Sequence, residues 1–474
     1  MGEELLVASG APTKSFFVNM LTRDIDLRDA ILDLLDNCLD GVVRLKDTSN
    51  PDDKEYYSNY CANINITSES FTIRDNCGGI PLDIAKQYAF RMGRLASDPE
   101  NNQERATVGV YGIGMKRAIF KMGDNAIIKT RHGNTAYSVL IDEDWIGSES
   151  NWDFPITIIN DYEHFEQGTE ITIEKLNDNI KLEWNDNNLE SFIESLKRAI
   201  QESYSFIIQK GFSIKLNGND IKPSPIQLLI SDADDGIKPY VYEKQYFEQK
   251  VTAKLIMGFY KTLQTDSEDD ETTENRRTTA QAGWTVTCND RVVLYNDKTH
   301  ITGWGEAGVP NFHNQFIGIC GVVMFQSSDP ELLPMTTTKR GIDLSSIMYA
   351  DIKNVMRDAL KTFTAYTNNW KNRIKEERTI SSKADPVSII DVFSKKEDYG
   401  IKSRNRKGAQ LFKPALPKPL VDKKVKIIRY SKDEREIDLL RQFFYKGSEE
   451  SEITPSEVGE KAFDEILKQV GEGE

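Results

Sequence analysis

The chain runs to 474 residues with 60 Lys and Arg against 75 Asp and Glu, a net charge of −15, which allows two or three domains with buried cores and leaves no global footprint for nucleic acid. No apolar run approaches a membrane span, and Met1-Gly2-Glu3-Glu4 lacks the basic region and apolar core of a secretory signal. The five cysteines (Cys38, Cys61, Cys77, Cys288, Cys320) and four histidines (His132, His164, His300, His313) are scattered without metal-ligand spacing, so no structural zinc site is expected, and a reduced, cytoplasmic protein is the simplest reading.

Residues 1–25 read as an arm, with Pro12 followed by the apolar Phe16-Phe17-Val18 and Met20-Leu21. From about Asp26 to Leu45 the residues Leu27, Ile31, Leu34, Leu35, Cys38 and Val42 keep the helical apolar period. On that helix Asp33, Asn37 and Asp40 stand at i, i+4 and i+7, within one narrow arc. A solvated face is the ordinary explanation of such a stripe, and it is the order of the later segments that outweighs it. Ala62 to Thr67 and Phe71 to Arg74 read as extended. The second runs straight into Asp75-Asn76-Cys77-Gly78-Gly79-Ile80-Pro81, a turn whose glycines let backbone approach a ligand closely. Leu82 to Met92 reads as a helix, and Gly93 to Ala106 as a polar stretch with neither period, a surface loop of a length that in compact domains is commonly functional or disordered.

Gly109-Val110-Tyr111-Gly112-Ile113-Gly114-Met115-Lys116 then leads into the apolar-periodic Arg117 to Met122. Glycines ahead of a helix present free N–H groups and the positive end of its dipole, which suits an anion such as a triphosphate. Gly114 is followed by Met115, Lys116 and Arg117, so neither the Lys-Ser/Thr of a P-loop nor the third glycine of a dinucleotide fingerprint is in place. Ala126 to Lys129 and Tyr137 to Ile141 flank His132-Gly133-Asn134 as a hairpin, and Ile156 to Ile159 and Glu170 to Ile173 add strands after it. A mixed sheet with helices packed against it, an α+β sandwich, is expected.

Asn188 to Lys210 reads as one amphipathic helix opening a second domain, followed by a hairpin at Asn217-Gly218. Val251 to Tyr260, Gly283 to Tyr295 and Gln315 to Met324 read as strands, with the acidic stretch Thr265 to Thr279 as an excursion between the first two, and Ser345 to Glu377 as a helix. Residues 379–425, rich in Ser, Lys and Pro, read as a basic linker, with phosphate-backbone contact as its second reading. Two amphipathic helices, Glu434 to Tyr445 and Ser456 to Val470, form a tail.

In the order acidic helix, Asp-glycine turn, glycine loop with Lys116, and Gly168-Thr169, the chain resembles the GHKL superfamily of ATPases, and the run Gly109 to Gly123 is most similar to its MORC branch. That resemblance implies an ATP-binding sandwich over 26–185, an S5-like transducer domain over 186–378 after the arm 1–25, the linker 379–425 and a helical module 426–474. It implies ATP and Mg²⁺ as ligands, with Asp33 as general base, Asn37 on the metal, and Asp75 on the adenine amino group with Gly79 close to the base. Ile80, Met92 and Thr169 would join the nucleotide site. Gly109, Val110, Tyr111, Gly112, Ile113, Gly114, Met115 and Lys116 would hold the phosphates. Lys339, in Pro334-Met335-Thr336-Thr337-Thr338-Lys339-Arg340-Gly341, would reach the γ-phosphate from the transducer. Residues 93–106 would be a lid, the arm would serve an ATP-dependent homodimer, and DNA or a second protein would engage the C-terminal region. Two departures stand out: the family's general base is usually Glu where this chain has Asp33, and Cys77 replaces the first glycine of the Asp-x-Gly-x-Gly turn. The shorter carboxylate favours slow turnover, and a scaffold that senses ATP without efficient hydrolysis is the alternative. A sensor kinase would need a histidine on a helix ahead of the motifs, and none precedes His132.

Overall fold

A computed structural model describes residues 13–46, 53–92, 112–149, 151–233, 235–263, 281–406, 408–419, 431–445 and 454–471. Two compact units result, the first ending at Pro419.

Helix α1 (Lys14–Arg23) precedes α2 (Leu27–Leu45), whose N-cap Asp26 accepts a hydrogen bond from the Arg28 N–H. The first sheet takes β1 (Cys61–Ile66), β2 (Phe71–Asp75), β3 (Gly123–His132), β4 (Thr135–Ile141), β5 (Ile156–Ile158), β6 (Gly168–Leu176), β7 (Ser213–Leu216) and β8 (Asn219–Asp220). Its order is β5-β4-β3-β6-β2-β1-β7-β8, antiparallel except where β1 meets β7. Between β2 and β3 lie the single turn α3 (Leu82–Ile84) and α4 (Gly114–Met122). After the sheet's hairpin come α5 (Glu143–Gly147), α6 (Asp178–Glu183), α7 (Leu189–Ser203) and α8 (Ser205–Gln209). Apolar side chains of α2, α4 and α7 pack on one face of this sheet in a core that includes Ile31, Leu35, Ile119, Leu196 and Ile200.

The amphipathic stretch that reads as one helix from Asn188 is two. It breaks at Tyr204, whose backbone leaves the helical region and whose hydroxyl lies 2.7 Å from both Leu32 O and Asp36 Oδ1, so the partners lie on α2. As a result α7 serves the first core, which continues to Ile221, while Phe206 on α8 packs in a separate cluster with Ile226, Leu228 and Val292. Strands β7 and β8, which follow the boundary expected at 186, pair into the first sheet.

The second sheet runs β13-β12-β14-β11-β10-β17-β16, from β10 (Tyr240–Tyr246), β11 (Val251–Phe259), β12 (Gly283–Cys288), β13 (Arg291–Asp297), β14 (Ile319–Ser327), β16 (Arg404–Arg406) and β17 (Ala409–Phe412). A separate pair joins β9 (Gln227–Ser231) to β15 (Ala384–Ser388). Strands β11 and β14 are buried on both faces. Leu255 and Val323 meet the long helix α9 (Ile347–Trp370), while Ile256 and Val322 meet Leu228 and α11 (Ile389–Ser394). Helix α10 (Ile374–Ser381) precedes β15.

Much of the segment read as a linker is thus folded. Ile389, Val392, Ile401 and Ala409 are buried, and β17 pairs with β10. Its high Lys and Ser content masks these few apolar positions, which short edge strands and one turn and a half of helix suffice to bury. The second unit holds α12 (Glu434–Phe444) and α13 (Pro455–Gly471) in contact, with Leu439, Phe443, Ile466 and Val470 exposed. No described helix is long and apolar enough to cross a membrane.

Candidate functional site

A cavity of about 400 Å³ opens between α2, the turn after β2, the start of α4 and the loop carrying Lys339, a size typical of small-molecule sites. The sequence motifs meet there: Asp33, Asn37, Asp75, Gly79, Ile80, Gly112, Ile113, Gly114, Met115, Lys116, Thr169 and Lys339 all line it. Gly109, Val110, Tyr111, the expected lid 93–106 and the acidic excursion Thr265 to Thr279 lie outside the described residues.

On α2 the polar stripe divides. Asp33 and Asp40 are buried, whereas Asn37 is exposed into the cavity and its amide makes no hydrogen bond among the described residues. An open amide oxygen beside carboxylates suits a hard cation that keeps most of its waters. No cluster of three His, Cys, Asp or Glu forms a metal site among the described residues, so any ion here would depend on ligand oxygens as well.

Asp33 takes an ion pair from Arg117 at Oδ2, and its Oδ1 lies 3.7 Å from Lys339 Nζ. Gly114 makes this approach possible. A Cβ at that position would stand 3.3 Å from the Asp33 Cβ. Helix α4 begins at Gly114 with no side-chain cap from Ile113, leaving its first N–H groups directed at the cavity end.

Asp75 Oδ1 accepts from Cys77 N at 2.7 Å and Thr169 N at 3.3 Å. Burial pushes its carboxyl above the usual range, opposed by those bonds and by the Cys38 thiol. Gly79 has φ +69°, and any Cβ there would collide with the Arg131 carbonyl. Ile80 N donates to Thr130 Oγ1 at 2.9 Å, and Tyr137 donates to Ile80 O at 3.0 Å, so the turn is fixed against β3 and β4. At Cys77, the residue at the departed glycine, the backbone carbonyl approaches Gly41 of α2 so closely that a Cβ on Gly41 would collide with it. Burial, then the Asp75 charge, raises the Cys77 thiol far out of the reactive range.

Two sequence-based expectations change. Met92 lies outside the lining, partly buried against the first core. The chain from Ala85 to Ala89 is a wider π turn instead of continuing α3, which shifts the register and brings Ile84, Tyr88 and Ala89 to the cavity. Lys116 does line the cavity, and its ammonium donates to the carbonyls Ala89 O, at 2.9 Å, and Gly112 O. Arg117 is the α4 cation that reaches Asp33. The sequence carries a signal for this, since Arg117 stands three residues beyond Gly114 and shares its helix face. Arg44, Tyr88 and Thr337 are further lining residues that motif reasoning did not single out.

Residues 25–174 match the family described as histidine kinase-, DNA gyrase B-, and HSP90-like ATPase. This part of the chain is a GHKL-type ATP-binding domain. No curated protein matches the chain. The GHKL domain contributes α2, the Asp75 turn, α4 and Thr169 to the cavity, and Lys339 enters from beyond the matched residues.

Lys339 Nζ donates to Asp36 Oδ2 at 2.8 Å. Arg291 Nε donates to Asp36 Oδ1 at 3.0 Å, and Arg340 pairs with Asp29. Burial alone would push the Asp36 carboxyl up, but the Lys339 and Arg291 charges hold it below the usual carboxylate range. For Lys339 burial works downward, and Asp36, Asp33 and Asp40 override it, raising its affinity for the proton. Both groups are charged at neutral pH.

Proposed function

We propose that the protein is a Mg²⁺-dependent ATPase whose second module, an S5-like transducer over the sheet built from β10 to β14, reports the state of the nucleotide and drives an ATP-gated homodimeric clamp. The observation that carries this reading is Lys339. A lysine from outside the GHKL domain stands 3.7 Å from Asp33 and lines the same cavity as the start of α4.

In this reading Asp75 accepts a hydrogen bond from the adenine amino group, which guanine, with a carbonyl there, could not supply. Backbone N–H groups from Gly112 to Met115, together with Gly109, Val110 and Tyr111, hold the phosphates, and Arg117 adds positive charge beside Asp33. Asn37 offers its amide oxygen to Mg²⁺, and the ion would offset phosphate charge. Asp33 orients the attacking water and takes its proton, while Lys339 contacts the terminal phosphoryl oxygens, which only the triphosphate presents. Exposed Phe16 and Met20 on α1 support a subunit contact by the arm. The MORC-like motif run makes DNA the partner class to test, in a cytoplasmic setting.

Size measurements with a non-hydrolysable ATP analogue, with and without DNA, test the clamp. A nucleotide-dependent rise in association state supports it, and an unchanged state rejects it. One observation favours the second reading, a sensing scaffold without efficient turnover: Asp33 is one methylene shorter than the family's usual Glu and is already engaged by Arg117 and Lys339. Single-turnover assays separate the two. Phosphate release that Asp33→Ala abolishes marks the enzyme, and bound ATP recovered intact marks the scaffold.

A further inference from the structure

We infer that Asp36 is a positioning residue: it never touches the nucleotide, but seats the Lys339 ammonium beside Asp33 and thereby sets how strongly the site distinguishes a nucleoside triphosphate from a diphosphate. This rests on the ATP reading above. Asp36 belongs to the same helix as Asp33 and Asn37, yet it is absent from the cavity lining and is 1% exposed. Any effect it has on a ligand must pass through a neighbour.

Its neighbours are fully specified. Oδ2 receives Lys339, while Oδ1 receives Arg291 and lies 2.7 Å from the Tyr204 hydroxyl. Arg291 follows the tip of the β12–β13 hairpin, and that tip is itself buried, which is unusual for a two-residue turn. Asn289 and Asp290 both adopt positive φ. The Asn289 amide bonds Ser327 N at 2.9 Å and Ser327 O at 3.1 Å, and Asp290 takes Lys210 at 2.6 Å. The hairpin is therefore a fixed peg that holds Arg291 on one edge of the carboxylate and leaves the other edge free for Lys339.

The lysine is constrained from its own side as well. Its φ is +57°, within a turn closed by Lys339 N to Thr336 O at 2.9 Å and Thr336 N to Gly341 O at 3.0 Å. Two cations, Arg291 and Lys339, share one carboxylate in a buried seam, with Asp33, Asp40 and Arg117 the other charges nearby. Remove the charge of Asp36 and the two cations repel each other. The lysine would then leave its seat first, since Arg291 is also held by Val292 O at 2.7 Å.

The test uses full-length protein, calorimetric titration with Mg-AMPPNP and with Mg-ADP, and the variants Asp36→Asn, Lys339→Ala and the double variant. The wild type is expected to prefer AMPPNP. Asp36→Asn should cut that preference about tenfold while ADP affinity stays within about twofold, Lys339→Ala should do the same, and the pair together should lose no more than either alone. Equal affinity of the wild type for both nucleotides, an unchanged preference in Asp36→Asn, a parallel loss of ADP binding, or additive losses in the double variant would each overturn the inference. If Asp36→Asn fails to fold by circular dichroism, Tyr204→Phe carries the test, with about a threefold cut expected and no cut overturning it. A wild type that binds neither nucleotide rejects the ATP reading itself.

Discussion

At the scale of single residues, the site depends on a carboxylate whose surroundings are arranged more tightly than its length would suggest. Asp33 meets Arg117 where Gly114 lets α4 come close, and it meets Lys339 from a separate loop. Asp33→Asn should lower the rate of phosphate release by about a hundredfold or more with the KM for ATP nearly unchanged, since a general base typically supplies ~10²–10⁴; steady-state kinetics read both. Gly79→Ala should abolish ATP binding by calorimetry and lower the melting temperature, because the methyl meets a backbone carbonyl and the residue sits at positive φ. Asp33, Asn37 and Asp75 are legible in the chain because their spacing and their flanking glycines mark them. Arg117 is legible only through the helix face it shares with Gly114, since Lys116 beside it is the expected cation, and it takes the fold to show the Lys116 ammonium donating to the carbonyls of Ala89 and Gly112.

At the scale of elements, α2 acts as the seam between two sheets, and its stability should follow the charges it carries. The folded Asp36 holds its proton less readily than usual, so its contribution is present above the ordinary carboxylate range and is lost as pH falls through the lowered value. The folded Lys339 holds its proton more readily, so its contribution is present below the ordinary lysine value and is lost as pH rises through the raised one. The melting temperature should therefore be flat between about pH 5 and 9 and fall below about pH 4, with a shallower acid limb in Asp36→Asn; thermal melts across pH check this. Asp36→Ala should cost about 3–5 kcal/mol, as expected when a buried ion pair loses one partner, and denaturant titration reads the loss. Periodicity foretold α2, the hairpin of β3 and β4, and the long α9. It could not foretell the break at Tyr204 or the π turn at Ala85–Ala89, because both are set by what the segment packs against.

At the scale of the whole molecule, the boundaries were the least legible feature. Composition assigns 379–425 to a linker, yet Ile389, Val392, Ile401 and Ala409 are buried and β17 extends the second sheet. A chain ending at residue 378 should therefore lose stability, by about 2–5 kcal/mol for each large buried aliphatic side chain removed. One ending at Pro419 should keep its melting temperature and its ATP affinity, since the following helices form a compact unit of their own. Paired melts and titrations of the two truncations decide between the linker reading and the folded one.

The buried tip at Asn289 and Asp290 also bears on how the protein can be engineered. Hairpin bends are the customary place to splice a reporter peptide, and the exposed bend at Gly133, with open space around it, should accept one without loss. The same insert between Asn289 and Asp290 should leave the chain unable to assemble its two sheets. A split-reporter or epitope scan along the chain would therefore find one bend that tolerates cargo and one that behaves like the middle of a core strand.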